Sequence, residues 1–320
     1  MIAVKSKKFY TDHLPPGLPV FYQPFYLDAV TKGNWEASCL CDDDDKVLAC
    51  MPYALSQTTY NIIRQPPLTI YQGPFFTEEY RHKISLNDEM ELLEALESSF
   101  LPYDYYNQNW HPSSRNWLPF YWKGYHQSTR YTYIIPGPRD IETIRTGYNE
   151  NVRRNIKKSS ANIRIEETSE TEGFFGVVQK TFDRKNEKQP YDLTIFKGLI
   201  QSCFDQKCCT IYLARDTSEN LHGGMFIIWD SKWVYYMAGG IDEGFKKSGA
   251  MSLLFGKAIE FAMRTGRSFD FGGSMIEPIE KFFRSFGAVQ QEYFVVTKVK
   301  SPVLRIRLAL GKFHSAFSPL

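Results

Sequence analysis

The chain repeats itself. The stretch ASCLCDDDDKVLACMPYAL is matched downstream by TIYLARDTSENLHGGMFII, and each reads as a strand, an acidic tip and a second strand. Farther along, IYQGPFFTEEY is matched by YMAGGIDEGF, and each leads through helix-period sequence to PYDYY or SFDFGG. The spans Gly73 to Asp104 and Gly240 to Asp270 differ by a single residue, which sets the two aspartates at equivalent positions. Two copies of one unit, each with an apolar sheet face to bury, restrict the fold to a tandem arrangement. The expected class is α/β (α+β), with a mostly antiparallel mixed sheet flanked by helices in each domain. The expected division is 1–138 and 139–320, since 320 residues exceed what one core usually supports.

Within that frame the four aspartates Asp42 to Asp45 read as a solvated turn. A helix is expected over NDEMELLEALESSF, capped at Asn87, with strands around NWLPFYW and TRYTYIIP. The second half opens on RDIETIRTGYNENVRRNIKKSSANIRIEE, where Arg153 and Lys157, and Arg154 and Lys158, stand four apart. A helix there presents two basic rows, which serve either as a solvated face or as a clamp for phosphate.

Only the second copy keeps a basic glycine turn. In MAGGIDEGFKKSGAM, Gly239, Gly240 and Gly244 are expected to let the backbone leave a strand sharply. Ser248, Gly249 and Ala250 keep the start of the following helix bare, so its unpaired N–H groups can face an anion beside Lys246 and Lys247. The alternative is a turn that merely joins two elements.

The net charge of +2 offers no broad basic field, so any contact with RNA must use a local patch. The six cysteines form no C-x-x-C pair and have no histidine at ligand spacing, so no metal site is expected. The N-terminus has no charged-then-apolar leader and no run of eighteen apolar residues exists, so a soluble, cytoplasmic chain with reduced thiols is expected. G-x-S-x-G is absent.

A meander of antiparallel strands, a turn, a helix, a strand and a helix is the order of the GNAT acyltransferase fold. Duplicated, with NVRRNIKKSSANIRIEE heading the second unit and FDFGGS and IEKFFRSFGA near its end, the chain resembles the FemABX branch and its acetyltransferase-like relatives. The resemblance implies transfer of an acyl or aminoacyl group to an amine, from acyl-CoA in GNAT enzymes and from aminoacyl-tRNA onto a peptidoglycan precursor in FemABX enzymes. No cofactor beyond that donor is required. Lys246, Ser248, Gly249 and Met251 occupy the frame in which GNAT proteins carry Gln or Arg, then Gly, then Gly or Ala, and the Met251 side chain would crowd a pyrophosphate there. On this reading the second domain binds the donor at 239–251 and the first takes the acceptor, with cell-envelope or polysaccharide building as the setting. A small amine as acceptor for CoA-dependent N-acetylation, or a catalytically silent binding module, are the alternatives.

Such chemistry needs alignment, removal of a proton and support for a developing oxyanion. Asp270 and Glu277 lie at or just past the end of the FDFGGS strand and are candidates for the base, although Asp270 could equally be a buried anchor and Glu277 a helix cap. Tyr236 is a candidate proton donor to the leaving group. Tyr71, Gln72 and Gly73 are candidates for the acceptor groove, and Arg153, Arg154 and Lys157 for holding a sugar-diphosphate-linked acceptor. The C-terminal VLRIRLALGKFHSAF, with Arg305, Arg307 and Lys312, either packs on the second domain or lies on an anionic membrane.

Overall fold

The computed structural model describes residues 3–57, 59–185 and 192–310. Its strands in chain order are β1 (Ala3–Lys5), β2 (Trp35–Cys41), β3 (Val47–Gln57), β4 (Asn61–Arg64), β5 (Phe75–Phe76), β6 (Tyr105–Asn109), β7 (His126–Ile135), β8 (Ile163–Thr168), β9 (Cys209–Asp216), β10 (Leu221–Trp229), β11 (Trp233–Ile241), β12 (Ser268–Asp270) and β13 (Val289–Val299). The helices that matter below are α1 (Leu86–Ser98), α2 (Glu150–Ser159), α3 (Glu172–Lys185), α4 (Leu193–Asp205), α5 (Ala250–Arg264), α6 (Glu277–Arg284) and α7 (Pro302–Ala309).

The duplication is visible in the hairpin tips. Asp42 Oδ1 accepts from the N–H groups of Asp44 and Lys46 at 3.0 and 2.9 Å, and Asp216 Oδ1 accepts from Ser218 and Asn220 at 2.9 Å each. Asp45 and Glu219 take the left-handed conformation at φ 59° and 65° in the matching places. An aspartate that bonds its own backbone two residues on folds such a tip locally, so both acidic runs are turns.

The chain forms two compact units, Met1–Arg130 with Glu292–Leu320, and Tyr131–Gln291. In the first, β1, β2, β3 and β4 pair antiparallel in that order, β4 pairs parallel with β6, and β6 pairs antiparallel with β13. In the second, β8, β9, β10 and β11 pair antiparallel, β11 pairs parallel with β12, and β12 pairs antiparallel with β7. The order of six strands is the same in both units, with β5 added beside β3 in the first. Their sixth strands are exchanged along the chain, because β7 follows β6 yet pairs with β12, whereas β13 follows β12 yet pairs with β6. A linear division near residue 138 therefore does not coincide with the units, and residues from Glu292 on group with the first.

Several local expectations are corrected. α1 is capped by Ser85 rather than Asn87, in a reciprocal box with Asp88. LPFYW is a short helix, Leu118–Trp122, with Pro119 in its first turn, where a missing N–H costs nothing. Asp104 and Asp270 are not equivalent: Asp104 precedes β6, where it accepts from Asn61 N–H at 2.9 Å, whereas Asp270 closes β12. The core of the second unit is aromatic and centred on Phe255 of α5, whose ring meets Tyr236, Phe269, Phe271, Phe283 and Phe286 within 6.3 Å. Burial of such side chains is worth about 1.5–3 kcal/mol each, which fixes α5 against β11, β12 and α6. Among the described residues no helix is long and apolar enough to cross a membrane.

Candidate active site

The parallel ladder between β11 and β12 has only the rungs Trp233–Ser268, Val234–Phe269 and Tyr235–Asp270. β12 then stops, while β11 runs on to Ile241, held from its other side by β10. Along that length the register slips: Phe226 faces Ala238 and Ile227 faces Tyr236, so Met237 is an extra residue in a bulge. From Tyr236 to Gly239 the strand is half-buried, and from Met237 on no strand among the described residues pairs with it on the β12 side.

The corresponding place in the first unit is filled. Beyond β4 the chain doubles back, and Gln65 Oε1 accepts from Asn109 N–H at 3.0 Å. Gln72 then donates its N–H to Asn109 O at 2.6 Å and bridges to Trp110. The first unit thus has its own chain where, among the described residues of the second, no strand pairs with β11.

The turn that follows β11 differs from the expected one. Gly239 and Gly240 belong to the strand, because a Cβ on Gly240 would lie 2.5 Å from Val177 O of α3, so the glycine serves close helix–sheet packing. Asp242 begins the turn, accepting from Gly244 N–H at 2.9 Å and pairing with Lys180 of α3 at 2.7 Å. Those bonds, Lys180 first, hold its carboxyl below the usual aspartate range. His222 stacks on Phe245 at 3.8 Å, which fixes the turn from the β10 side. Gly249 caps α5 at φ 84°, and a Cβ there would also meet Asn155 O of α2 at 2.9 Å. Ser248 Oγ accepts from Ala250 N–H at 3.2 Å and Leu253 N–H bonds Gly249 O, which leaves the N–H groups of Met251 and Ser252 with no helix carbonyl to bond. Lys246 and Lys247 are exposed, and no ion pair ties either to a described residue. The Met251 side chain packs against the apolar core. The turn can therefore receive an anion between two lysines and a helix N-terminus.

The remaining candidates are placed as follows. Tyr236 lies on the bulged strand with its ring 4.8 Å from that of Phe255, and its hydroxyl is held beside Gly239, 2.9 Å from where a Cβ on that glycine would be. Asp270 is 2% exposed, and its Oδ1 accepts from Thr132 Oγ1 at 2.5 Å and Gly272 N–H at 2.8 Å. That is an anchor for the loop after β12, with no surface open to an amine. Glu277 is exposed in the first turn of α6 and pairs with Lys281 at 2.6 Å, while the N-cap is Ile276. Tyr71 and Gln72 are fully buried, and Gly73 is pressed against the Trp110 ring, so the three are core and not groove. On α2, Val152, Asn155, Ile156 and Ser159 turn inward, while Arg153, Arg154 and Lys157 are exposed. Arg153 bonds the carbonyls of Thr146 and Tyr148, and Arg154 bonds Asn151. The bulge at Met237 escaped the sequence reading, since a single extra residue in an apolar strand leaves no periodic mark.

Residues 147–282 match the family model described as Acetyltransferase (GNAT) domain. That part of the chain is similar to a GNAT acetyltransferase domain. Its fold as a whole is similar to that of FemX, at 10% identity and TM-score 0.67 over 97% of this chain and 99% of that one. It is also similar to L-PGS from Bacillus licheniformis (12%, TM-score 0.55, 95% and 94%) and to a tandem GNAT protein from the clavulanic acid biosynthesis pathway (9%, TM-score 0.54, 94% and 99%). No curated protein matches the chain in sequence. The match to the family model starts in the loop before α2 and closes within α6, so the free length of β11 past β12 and the basic turn both lie inside the matched stretch.

Proposed function

We propose that this protein is an acyltransferase that moves an aminoacyl or acyl group onto the amine of a cell-envelope or polysaccharide precursor, in the manner of FemX-like proteins. The observation that carries the reading is the length of β11 from Met237 to Gly239 that runs past the end of β12, next to the basic turn that leads into α5, in the unit where no other described segment fills that place. A donor laid along that length would take hydrogen bonds from the bulged strand at its carbonyl and from Met251, Ser252, Lys246 and Lys247 at its phosphates. Holding donor and amine in line contributes about 7–11 kcal/mol in favourable cases, more than one acid or base supplies. Tyr236 is assigned the transfer of a proton to the leaving group, and Asp270 the support of the strand end. Likeness to FemX and to L-PGS supports an aminoacyl donor; the helix N-terminus flanked by lysines supports a CoA pyrophosphate as the second reading.

Thermal shift of the full chain with acetyl-CoA, with aminoacyl-tRNA and with a UDP-linked muropeptide separates the two. Stabilisation by aminoacyl-tRNA or the muropeptide, followed by aminoacyl transfer, is expected. Stabilisation by acetyl-CoA alone establishes the second reading, and no shift with any of the three overturns both.

A further inference from the structure

We propose that α7 docks the protein on the surface of an anionic lipid bilayer. The helix begins after Ser301, whose Oγ accepts from Leu304 N–H at 3.3 Å, and ends at Leu310. One side is anchored in the first unit: Leu304 is fully buried with Ile62 and Tyr105, and Leu308 packs against the same cluster. The other side carries Val303, Ile306 and Leu310, which are 55%, 61% and 62% exposed. At ~100° per residue these three fall within about 60° of arc, a continuous aliphatic ridge turned away from the protein. A single exposed leucine is ordinary; three large aliphatics in register on one exposed face are not.

Charge identifies what covers the ridge. From Lys298 to Leu320 the sequence has five Lys or Arg and no Asp or Glu, whereas the whole chain carries +2, so everything before Lys298 carries −3. Arg307 lies beside the ridge, its guanidinium 5.9 Å from the ring centroid of Tyr60, and Arg305 bonds Val299 O at 3.0 Å with the rest of its length exposed. Lys300 sits over the Tyr103 ring at 3.8 Å, just before the helix. Lys312 lies outside the described residues. Aliphatic side chains on a helix whose charged residues are all basic match the boundary of an anionic bilayer, where acyl chains begin below phosphate headgroups. A second copy of the chain would bring the same positive charge against itself, which disfavours a dimer through this face. The proposal does not rest on the transferase reading.

The test is co-sedimentation of the full chain with vesicles of phosphatidylcholine and with vesicles of equal parts phosphatidylcholine and phosphatidylglycerol. Binding to the mixed vesicles only, weakened by salt, is expected. Arg307→Gln should lower the partition coefficient about fivefold, and Ile306→Ser about tenfold. Both side chains are exposed, so circular dichroism and melting should be unchanged, and Leu86→Ser, exposed on α1, should bind as the parent does. Equal binding to both vesicle types, no binding, or a concentration-dependent dimer abolished by Ile306→Ser would each overturn the proposal.

Discussion

Tyr235 and Asp270 form the last rung between β11 and β12, and the site begins at the residue after each. Asp270 closes its strand by accepting from Thr132 and from Gly272 N–H, which turns the chain away while β11 runs on past Tyr236. A buried carboxylate with two donors is costly to remove. Asp270→Ala leaves the Thr132 hydroxyl and the Gly272 N–H unpaired and should cost about 2–4 kcal/mol. Asp270→Asn keeps an acceptor and should cost about 1 kcal/mol. Glu277→Ala, at an exposed helix start, should change stability by less than about 0.5 kcal/mol. Urea midpoints of the three variants check the ordering, and equal losses for Asp270→Ala and Glu277→Ala would contradict it.

The two glycines of β11 differ in what confines them. At Gly240 a Cβ would meet backbone atoms of α3, Val177 O at 2.5 Å and Val177 C at 2.7 Å, and a helix backbone cannot step aside. At Gly239 the nearest atom is the Tyr236 hydroxyl at 2.9 Å, the end of a side chain that can rotate, with Gly224 O at 3.0 Å. Gly240→Ala should therefore cost about 2–3 kcal/mol in chemical denaturation, at the upper end for overpacking. Gly239→Ala should cost less in stability and instead displace the Tyr236 hydroxyl. Its effect should be read in turnover, with a melting point closer to the parent than that of Gly240→Ala.

The sequence showed the duplication because hairpin tips obey local rules: an aspartate at the first position and a residue that tolerates positive φ near the end are legible in DDDDK and DTSEN alike. It showed the basic turn for the same reason, since Gly249 is a conformational requirement written in one letter. It did not show that β7 and β13 change places, because strand pairing partners far apart in the chain leave no local mark. Nor did it separate glycines that turn a chain from glycines that admit a helix: Gly240 and Gly249 read alike until α3 and α2 are placed beside them. Tyr71 and Gln72 failed as groove residues for a related reason, as their unit uses that segment to fill the place that no described strand takes beside β11 past Tyr236.

The turn after β11 should depend on pH through Asp242. Its bond to Lys180 and the N–H of Gly244 hold its pKa below the usual value, so the carboxylate form is favoured in the folded chain. A depressed pKa contributes order that is fully present above the unfolded value, about 3.9, and is lost as pH falls through the lower folded value. The Gly244 amide resonance should thus hold steady from neutral pH to about pH 4 and shift only below it. In Asp242→Asn the resonance should be insensitive to acid over the same range. A shift centred near neutral pH in the parent would exclude Asp242 as the group responsible.

Tyr236 is where position and chemistry coincide. Its ring packs against Phe255 at 4.8 Å, and its hydroxyl stands beside Gly239 on the strand that runs on where β12 stops. A hydroxyl that donates a proton to a leaving thiolate or ribose oxygen acts only as the bond breaks, so its removal should lower kcat and leave KM for the donor nearly unchanged. Tyr236→Phe keeps the ring and the packing, and should lower kcat by about 10²-fold, the lower bound for a positioned general acid. Lys246→Ala and Lys247→Ala, acting on donor phosphate, should do the opposite, raising KM several-fold with kcat preserved and a weaker dependence on salt. If Tyr236→Phe instead raised KM with kcat intact, the hydroxyl would belong to donor binding and the proton would have to leave by another route.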